Sequence, residues 1–173
     1  SQSKECRSLM HLYFLSQRAK KNPDSRSVKE VSRLGVIGAG LMGSGIGLVS
    51  IQKGLSVSLK DISYENLARG QKSIAKELTL KVKKRQISKF ESKRISSFLQ
   101  PTLDMNRIKS SDLIIEAVFE DVDLKKSLFK ELEQVVSKDT IIASNTSALP
   151  IEDIITDVVH RERFLGMHYF SPV

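Results

Sequence analysis

The chain has 173 residues, of which 40% are hydrophobic and 28% are charged, and its formal net charge is +8. This composition suits a globular protein with a sizeable core, and no apolar run approaches the roughly 20 residues of a membrane span. The single cysteine excludes an internal disulfide framework and suits a reducing compartment. The positive charge is compatible with nucleic acid, an anionic membrane surface or a small polyanionic ligand.

Residues 1–27 differ from the rest of the chain. Crowded apolar residues, followed by basic residues and Asn22-Pro23, predict a short helix that ends at the proline. A polar linker then leads to a second domain, residues 28–173. A transit peptide is the competing interpretation, because the segment is basic and rich in serine. The start at Ser1 without methionine leads us to expect a processed protein or a piece of a longer one.

The next part of the chain predicts two strands and three helices. In chain order these are a strand at 33–37, a helix at 41–52, a strand at 55–60, a helix from Ser63 to about 84, and a helix at 88–99. Ser63 is expected to cap the longer helix. The last two helices form a long insertion after the second strand.

The remaining elements complete an alternating pattern. They are a short strand near 102–103 after a break at Pro101, a buried strand at 112–119, a helix at 124–136, a strand at 140–143, a short helix at 150–156 and a last strand at 163–169. Strands that alternate with helices imply βαβ units. We therefore predict an α/β fold, a Rossmann-type doubly wound and mostly parallel sheet with a long helical insertion after the second strand.

A glycine-rich turn joins the first of these strands to its helix. Gly38-Ala39-Gly40-Leu41-Met42-Gly43 matches the G-x-G-x-x-G pattern. Gly38 would permit the tight turn, Gly40 would let the backbone approach a pyrophosphate, and Gly43 would let the helix pack against the strand. The helix N-terminus favours the negative charge of the pyrophosphate. We predict that Gly38, Gly40, Leu41, Met42 and Gly43 bind a dinucleotide.

Asp61 follows the second strand, where a free carboxylate can accept hydrogen bonds from the adenine ribose hydroxyls. The same charge would repel a 2′-phosphate, so we predict NAD rather than NADP as the cofactor. The positive charge of the neighbouring Lys60 argues against this preference. The alternative is a glycine turn with an unrelated exposed aspartate nearby. The matching order of strand, turn, helix, strand and acid disfavours that alternative.

Ligands of open parallel sheets bind outside the carboxyl ends of the strands, which here are followed by residues 116–120, 144–147 and 166–169. His168 is the best acid–base residue among them, because imidazole titrates near neutral pH. Ser147 would hydrogen-bond the same substrate oxygen or orient the imidazole. On the residues alone, a structural histidine and a turn serine remain open alternatives. No cluster has the spacing of metal ligands.

Residues 69–94 form a basic segment that contains only two acidic residues. Its basic residues are Arg69, Lys72, Lys76, Lys81, Lys83, Lys84, Arg85, Lys89, Lys93 and Arg94. They form either a solvated helix face or a surface that attracts phosphate. Because Phe90 alone interleaves with them, the aromatic platforms of a single-stranded nucleic-acid site are missing, and no nucleic-acid partner is predicted.

The glycine turn is followed by three further motifs, Glu116–Asp121, Ala143–Ile151 and Gly166–Val173. Together the four motifs resemble the 3-hydroxyacyl-CoA dehydrogenase family, over about residues 4–173, and are most similar to its multifunctional mitochondrial branch. The resemblance implies NAD-dependent oxidation of an L-3-hydroxyacyl-CoA to the 3-ketoacyl-CoA in mitochondrial fatty acid β-oxidation. It also implies a membrane-associated complex for the full-length protein.

The resemblance implies roles for the matching positions. These are the glycines and Asp61 for NAD, Glu120 and Lys125 for the nicotinamide side, Asn145 for the nicotinamide and the substrate, Ser147 for the substrate oxygen, His168 as the catalytic base and Lys84 for the CoA group. Coenzyme A carries several phosphates, so it is the ligand implied for the basic segment.

Two departures from the family pattern lie near the end of the chain. Ser171 stands where many relatives have Asn, which resembles the multifunctional branch. The family pairs its histidine with a glutamate further along, and the chain stops at Val173 before that position. The resemblance therefore predicts that the helical C-terminal domain, which covers the acyl chain and forms the oligomer, is absent. The chain would then be weakly active or inactive alone.

Three alternatives remain open at this point. The first is a truncated module that binds NAD or CoA without catalysis. The second is another β-hydroxyacid dehydrogenase with a lysine base, against which Ser147 and His168 argue. The third and least favoured is a nucleic-acid protein that binds through the basic segment.

Overall fold

The computed structural model describes residues 3–21 and 30–171. The chain divides into two compact units, residues 1–30 and 31–173. The domain boundary predicted between residues 27 and 28 lies outside the described residues, as does Asn22-Pro23, so that boundary stays a prediction.

The first unit contains helix α1, Lys4–Ala19. Ser3 caps it, because the Ser3 side-chain oxygen accepts a hydrogen bond from the Cys6 N–H at 3.2 Å. The predicted helix is confirmed, and it ends a few residues before the expected stop at the proline. Within residues 3–21 and 30–171, no helix has both the length and the apolar character needed to cross a membrane.

In the second unit, strands and helices alternate along the described residues. The strands are β1 Arg33–Ile37, β2 Ser56–Lys60, β3 Leu99–Thr102, β4 Leu113–Glu116, β5 Ile141–Ser144 and β6 Phe164–Gly166. The helices are α2 Leu41–Gln52, α3 Tyr64–Lys83, α4 Lys89–Ser96, α5 Val122–Val135 and α6 Ile151–Ile154. Two 3-10 turns, Met105–Ile108 and Arg161–Arg163, precede β4 and β6.

The strands form one sheet in the order β3-β2-β1-β4-β5-β6, and every neighbouring pair is parallel. The chain moves outward from β1 on one side and then outward from β4 on the other, so the sheet is doubly wound. The predicted fold is confirmed, and the sheet is fully rather than mostly parallel. Helices α3 and α4 lie between β2 and β3, which confirms the long helical insertion.

Apolar side chains alternate between the two faces of the sheet. In β4, Ile114 belongs to a core cluster that includes Phe129 of α5, whereas Ile115 belongs to a second cluster that includes Ile46 of α2. This is the period of two that a strand imposes on its side chains. Because helices cover both faces, the inner strands β4 and β5 are apolar until their last residues, Glu116 and Ser144, which lie at the carboxyl edge of the sheet.

Two helices begin with a capping side chain near the carboxyl edge of the sheet. The Ser63 hydroxyl accepts a hydrogen bond from the Asn66 N–H at 3.2 Å at the start of α3, which confirms the predicted cap. The Asp121 carboxylate accepts one from the Leu124 N–H at 2.8 Å at the start of α5. Both helices therefore start beside the region where ligands of such sheets bind.

Three strands differ from the sequence prediction, and one of them, β4, ends at Glu116 rather than at residue 119. Strand β3 begins at Leu99 and runs through Pro101, whereas the prediction was a helix to residue 99, ended by Pro101, and a strand near 102–103. Because β3 is an edge strand, the missing N–H of proline removes no bond from the sheet interior. Strand β6 ends at Gly166, so His168 lies beyond the strand rather than in it. Beyond Gly166, the Tyr169 N–H donates to the Asn145 side chain instead of to a strand.

Asp112 joins the starts of β1 and β4. Its Oδ2 atom accepts hydrogen bonds from the N–H groups of Arg33 at 2.9 Å and Ser32 at 3.1 Å, and its Oδ1 atom accepts one from the Arg33 side chain at 3.2 Å. The backbone and side-chain bonds from Arg33 lower the pKa of the Asp112 carboxyl from 3.8 to about 2. Since the folded-state pKa is depressed, this stabilisation is complete above about pH 4 and is lost as the pH falls through about 2.

We expect Asp112→Asn to lower the free energy of unfolding by about 1–2 kcal/mol near neutral pH, a modest value because solvent screens the half-exposed Arg33 side chain. The difference from the wild type should shrink between about pH 4 and about pH 2, where protonation removes the same hydrogen bonds. Urea unfolding followed by circular dichroism across that range measures it, with Asp139→Asn at an exposed turn as the control. A difference that stays constant with pH would contradict this expectation.

Candidate functional site

The direction of winding reverses between β1 and β4, and their last residues, Ile37 and Glu116, are paired. In open parallel sheets, ligands bind in the crevice outside the carboxyl ends of the strands at this point. The glycine turn leaves β1 here, and residues 117–121 leave β4 here. The position of the site therefore follows from the topology of the sheet.

The glycine turn is held between the ends of β1, β2 and β4. Gly38 has a φ of +101°, its N–H donates to the Lys60 carbonyl at 2.8 Å, and a Cβ there would lie 2.4 Å from the Ala117 carbonyl oxygen. A Cβ at Gly43 would lie 1.7 Å from the Gly38 carbonyl oxygen. These two positions accept only glycine in this backbone, as the motif predicts.

Gly40 has a different environment from the other two glycines of the motif. A Cβ there would meet no atom within 4 Å, so no protein atom requires a glycine at this position. The first turn of α2 contains no acidic residue to compete for its free N–H groups. Open space beside a helix N-terminus suits an anion such as a pyrophosphate.

A cleft of about 590 Å³ opens beside the turn. It is lined by Ile37, Gly38, Gly40, Leu41, Met42, Lys60, Asp61, Ile62, Asn66, Ala117, Val118, Phe119, Leu124, Ser127, Leu128 and Glu131. Four of the predicted turn residues therefore line the cleft, and Gly43 lies beneath them against Gly38. The cleft is mostly apolar, with Asp61 and Asn66 at the end formed by β2 and α3.

Asp61 is 8% exposed, and its carboxylate is not free. The Oδ2 atom accepts a hydrogen bond from the Ala39 N–H, and the Oδ1 atom accepts others from the Ile62 N–H and the Asn66 side chain, all at 2.7 Å. Burial opposes ionisation of Asp61, but the hydrogen bonds from Ala39, Asn66, Ile62 and Ser63 outweigh it and lower its pKa. The expectation of a free carboxylate is wrong because the turn itself supplies donors, and contact with a ribose stays a prediction.

Ser44 and Gly70 pack against the turn at Ala39, and neither was predicted as a site residue. The Ser44 hydroxyl donates to the Ala39 carbonyl at 2.9 Å. A Cβ at Gly70 would lie 2.8 Å from both the Ala39 carbonyl oxygen and the Ser44 hydroxyl. The sequence did contain a signal for Gly70, because this glycine lies between Leu67 and Ile74 on the apolar face of α3. A glycine at such a position indicates close packing against a neighbouring segment.

A second cleft, of about 310 Å³, adjoins the first and shares Met42, Ala117 and Val118 with it. Its other lining residues are Glu120, Asn145, Ser147, His168, Tyr169, Phe170 and Ser171. The structure thus brings together four predicted site residues, Glu120, Asn145, Ser147 and His168, from three separate segments. The Asn145 side chain joins two of these segments, because its Oδ1 atom accepts a hydrogen bond from the Tyr169 N–H at 2.7 Å.

Ser147 and His168 are both exposed, and the same two residues line a further cleft on their other side. The His168 ring packs edge-on against Phe170, with centroids 4.7 Å apart. Within the described residues, no carboxylate hydrogen-bonds to His168. The two side chains can therefore reach a ligand, and the orientation of the imidazole is set here by an aromatic contact.

Glu120 holds the loop that carries Ser147. Its Oε1 atom accepts hydrogen bonds from the Thr146 hydroxyl, from the Ser147 N–H at 3.1 Å and from the Ala148 N–H at 3.3 Å. Burial opposes ionisation of Glu120, but the hydrogen bonds from Thr146 and Lys125 outweigh it and lower its pKa. Glu120 lines the second cleft as predicted, and it also positions the loop after β5.

Lys125 lies beneath the second cleft rather than in its lining. It is 1% exposed, and its Nζ atom lies 2.7 and 2.8 Å from the two oxygens of Glu116 and 3.2 Å from Glu120. Glu116 is fully buried and also accepts a hydrogen bond from the Ser144 hydroxyl at 2.5 Å. Lys125 therefore reaches a ligand only through Glu120, and its predicted contact with the cofactor stays untested.

Lys84 is the one predicted site residue that lies away from both clefts. It follows α3, whose 20 residues span about 30 Å from the capping Ser63 at the carboxyl edge of the sheet. Its predicted contact with CoA stays a prediction. In the part of the chain that the structure describes, no group of three or more His, Cys, Asp or Glu residues could hold a metal ion.

The two adjoining clefts can together bind a long ligand that carries an anionic group. The first cleft offers helix N–H groups and a carboxylate, and the second offers a hydroxyl, an amide and an imidazole. An imidazole beside a serine hydroxyl is suited to moving a proton on or off an oxygen atom of a substrate.

Comparison with known proteins agrees with this geometry. The model of the family described as 3-hydroxyacyl-CoA dehydrogenase, NAD binding domain, matches residues 33–173. The chain is similar to the structure of FadB2 from M. tuberculosis, with 37% identity and a TM-score of 0.81 over 84% of this chain and 51% of that one. It is similar to 3-hydroxybutyryl-CoA dehydrogenase from Escherichia coli K12, with 35% identity and a TM-score of 0.81 over 83% of this chain and 30% of that one.

A third similar structure is the dehydrogenase part of multifunctional enzyme 1 from C. elegans. The identity is 25% and the TM-score 0.75, over 88% of this chain and 36% of that one. The chain spans about half or less of the length of each of these three structures.

Proposed function

The chain belongs to the 3-hydroxyacyl-CoA dehydrogenase family, with residues 33–173 as its NAD-binding domain, and we propose that it supplies the residues for oxidising a 3-hydroxyacyl-CoA to the 3-ketoacyl-CoA. In this proposal the first cleft holds NAD, and Ser147 and His168 act on the substrate in the second cleft. When bound, NAD accepts the hydride that leaves the substrate carbon.

One observation carries the proposal. The cleft at the glycine turn and the cleft at Ser147 and His168 adjoin, because Met42, Ala117 and Val118 line both of them. A dinucleotide whose pyrophosphate lies at the start of α2 would extend toward the second cleft, where the proton-transferring side chains are. Hydride transfer and proton transfer on one substrate need this proximity.

The residues that would hold NAD fit it chemically. The space beside Gly40 and the α2 N-terminus would receive the pyrophosphate. The Asp61 Oδ2 atom, with the Ala39 N–H as its one donor among the described residues, would accept a ribose hydroxyl. Met42 and Asn145 would lie at the nicotinamide end, with Glu120 and, through it, Lys125 behind them.

His168 is the proposed general base. An imidazole nitrogen would take the proton of the substrate hydroxyl as the carbonyl forms, and the Ser147 hydroxyl would hydrogen-bond the same oxygen. The basic segment, residues 69–94 with Lys84, would attract the phosphates of coenzyme A.

The test combines cofactor binding with turnover. NADH fluorescence measures the dissociation constant of the cofactor, and NADH oxidation with acetoacetyl-CoA measures the reverse reaction. We expect His168→Gln to leave NADH affinity unchanged and to lower turnover by about a hundredfold to ten-thousandfold, since a general base contributes this much. His160→Gln is the matched control, because His160 pairs with Glu162 outside both clefts. Equal and measurable turnover in the two variants would refute the role of His168.

A second function is favoured by the surroundings of His168. Since no carboxylate among the described residues orients its imidazole, the chain would bind NAD or a CoA ester without turning over. Saturable NADH binding together with no measurable oxidation by acetoacetyl-CoA would support this function over the first. Failure to bind NADH would refute both.

We further propose that the protein acts in mitochondrial fatty acid β-oxidation, within a multifunctional, membrane-associated complex. The resemblance of the four motifs to the multifunctional branch supports this setting. Fractionation of cells with an antibody against the chain is the check, and recovery outside mitochondria would contradict it. Oligomer formation through a C-terminal domain belongs to the same proposal and is measured on the full-length protein.

A further inference from the structure

Asn66 lies where two clefts meet in the first turn of α3. It lines the large cleft together with Lys60 and Asp61. It also lines an adjoining cleft of about 290 Å³ together with Arg69 and Ser44. The side chain therefore stands between the carboxylate proposed to meet the adenine ribose and the nearest arginine on α3.

The Asn66 amide bonds to both of these charged groups at once. Its Nδ2 atom donates to the Asp61 Oδ1 atom at 2.7 Å, and its Oδ1 atom accepts a hydrogen bond from the Arg69 Nη2 atom. A carboxylate only accepts and a guanidinium only donates, so the amide has one orientation that satisfies both partners. Asn66 thus separates an anion and a cation that would otherwise be free to pair.

We propose that Asn66 is a specificity-determining residue that keeps the cofactor site selective for NAD over NADP. The inference rests on the proposed function, since it requires the adenine ribose to lie at Asp61. Asn66 acts in two ways. Its Nδ2 atom fixes the Asp61 carboxylate in the cleft, and its Oδ1 atom holds the Arg69 guanidinium away from the ribose.

Both effects disfavour a 2′-phosphate. A fixed carboxylate repels the phosphate dianion, and arginine is the side chain that accommodates this group in sites that use NADP. With Asn66 removed, the Arg69 side chain can turn toward the ribose, where it would neutralise Asp61 or bind the phosphate through its fork of N–H donors. Lys60, which lines the same cleft, adds to the positive charge there.

The experiment measures dissociation constants for NADH and NADPH by nucleotide fluorescence in four proteins: the wild type, Asn66→Ala, Arg69→Gln and the double variant. We expect Asn66→Ala to lower the ratio of NADPH to NADH dissociation constants by about tenfold, the size of one hydrogen bond to a charged group. Arg69→Gln should leave NADPH binding weak. The double variant should lack the gain, because the arginine supplies it.

A further variant keeps the contact with Arg69. Asn66→Asp retains an acceptor for Arg69 and places a second carboxylate beside Asp61, so NADPH binding should be at least as weak as in the wild type. Both substitutions retain the cap of α3, since the Ser63 hydroxyl bonds to the backbone N–H of residue 66, and thermal unfolding checks that the fold is kept.

The outcomes test the role of Asn66 and the proposed function separately. Unchanged selectivity in Asn66→Ala, or an equal gain in the double variant, would overturn the role of Asn66 while leaving the NAD site intact. A wild-type protein that does not bind NADH would overturn the proposed function and this inference with it. A lower selectivity ratio that depends on Arg69 supports the inference, and a merely structural role of Asn66 would change both affinities alike.

Discussion

Lys125→Met is expected to lower the free energy of unfolding by about 3–5 kcal/mol, the usual loss when one partner of a buried ion pair is removed. Lys125 is 1% exposed and Glu116 is fully buried, so the substitution leaves a carboxylate without a counter-charge inside the protein. The Val118 N–H and the Ser144 hydroxyl still donate to Glu116, but neither carries charge. Such a loss is a large fraction of the stability of a domain of this size.

Urea unfolding measures this change, and two other variants make the measurement decisive. Lys130→Met removes an exposed lysine from the same helix and should change the stability by less than about 0.5 kcal/mol. The double variant Glu116→Leu with Lys125→Met should regain much of the loss, because no unpaired charge remains buried. Equal stability of the Lys125→Met and Lys130→Met variants would show that the ion pair does not stabilise the fold.

Gly43→Ala is expected to disrupt the cofactor site. The new Cβ would lie 1.7 Å from the Gly38 carbonyl oxygen, which is backbone and cannot turn away as a flexible side chain would. Helix α2 must therefore shift relative to the turn, which should lower the stability by at least about 2–3 kcal/mol. The NADH dissociation constant should rise at least about tenfold, since hydrogen bonds to a charged group are worth about 1.5–3 kcal/mol.

Gly47→Ala is the matched control in the same helix. Its Cβ would meet Ile74 at 3.8 Å, an ordinary contact distance. Alanine is the better helix former, so this variant should be more stable by about 0.5–1 kcal/mol with unchanged NADH affinity. Thermal unfolding and fluorescence titration of both variants are the measurements. If Gly43→Ala bound NADH as well as Gly47→Ala, the close approach at Gly43 would not be a requirement of the site.

Much of the fold could be predicted because its signals are local. Helix α2 was predicted with its observed ends, since a glycine turn precedes it and a glycine follows it. The cap at Ser63 was predicted for the same reason. The start of β3 was predicted too late, because the strand was expected only after Pro101. An edge strand accepts a proline, and the sequence does not show that β3 is at the edge.

The site was harder to predict, because its contacts join residues that are far apart in the sequence. Glu116 reads as a polar residue after an apolar run, and Lys125 as one of three lysines in a helix. The ion pair between them forms only when α5 packs beside the ends of β4 and β5. Asp61 reads as a free acid, because nothing in the sequence shows that the Ala39 N–H and the Asn66 amide converge on it.

The sequence by itself determined the order of strands and helices, the glycine turn and the residue types at the carboxyl ends of the strands. These depend on periodicity and on backbone conformation, which act over a few residues. Only the tertiary structure decided which polar groups are free. Whether a carboxylate faces a ligand or a buried lysine depends on neighbours from distant segments. Asp61, Glu116 and Glu120 are similar acids in the sequence, and packing alone gives each its own partners.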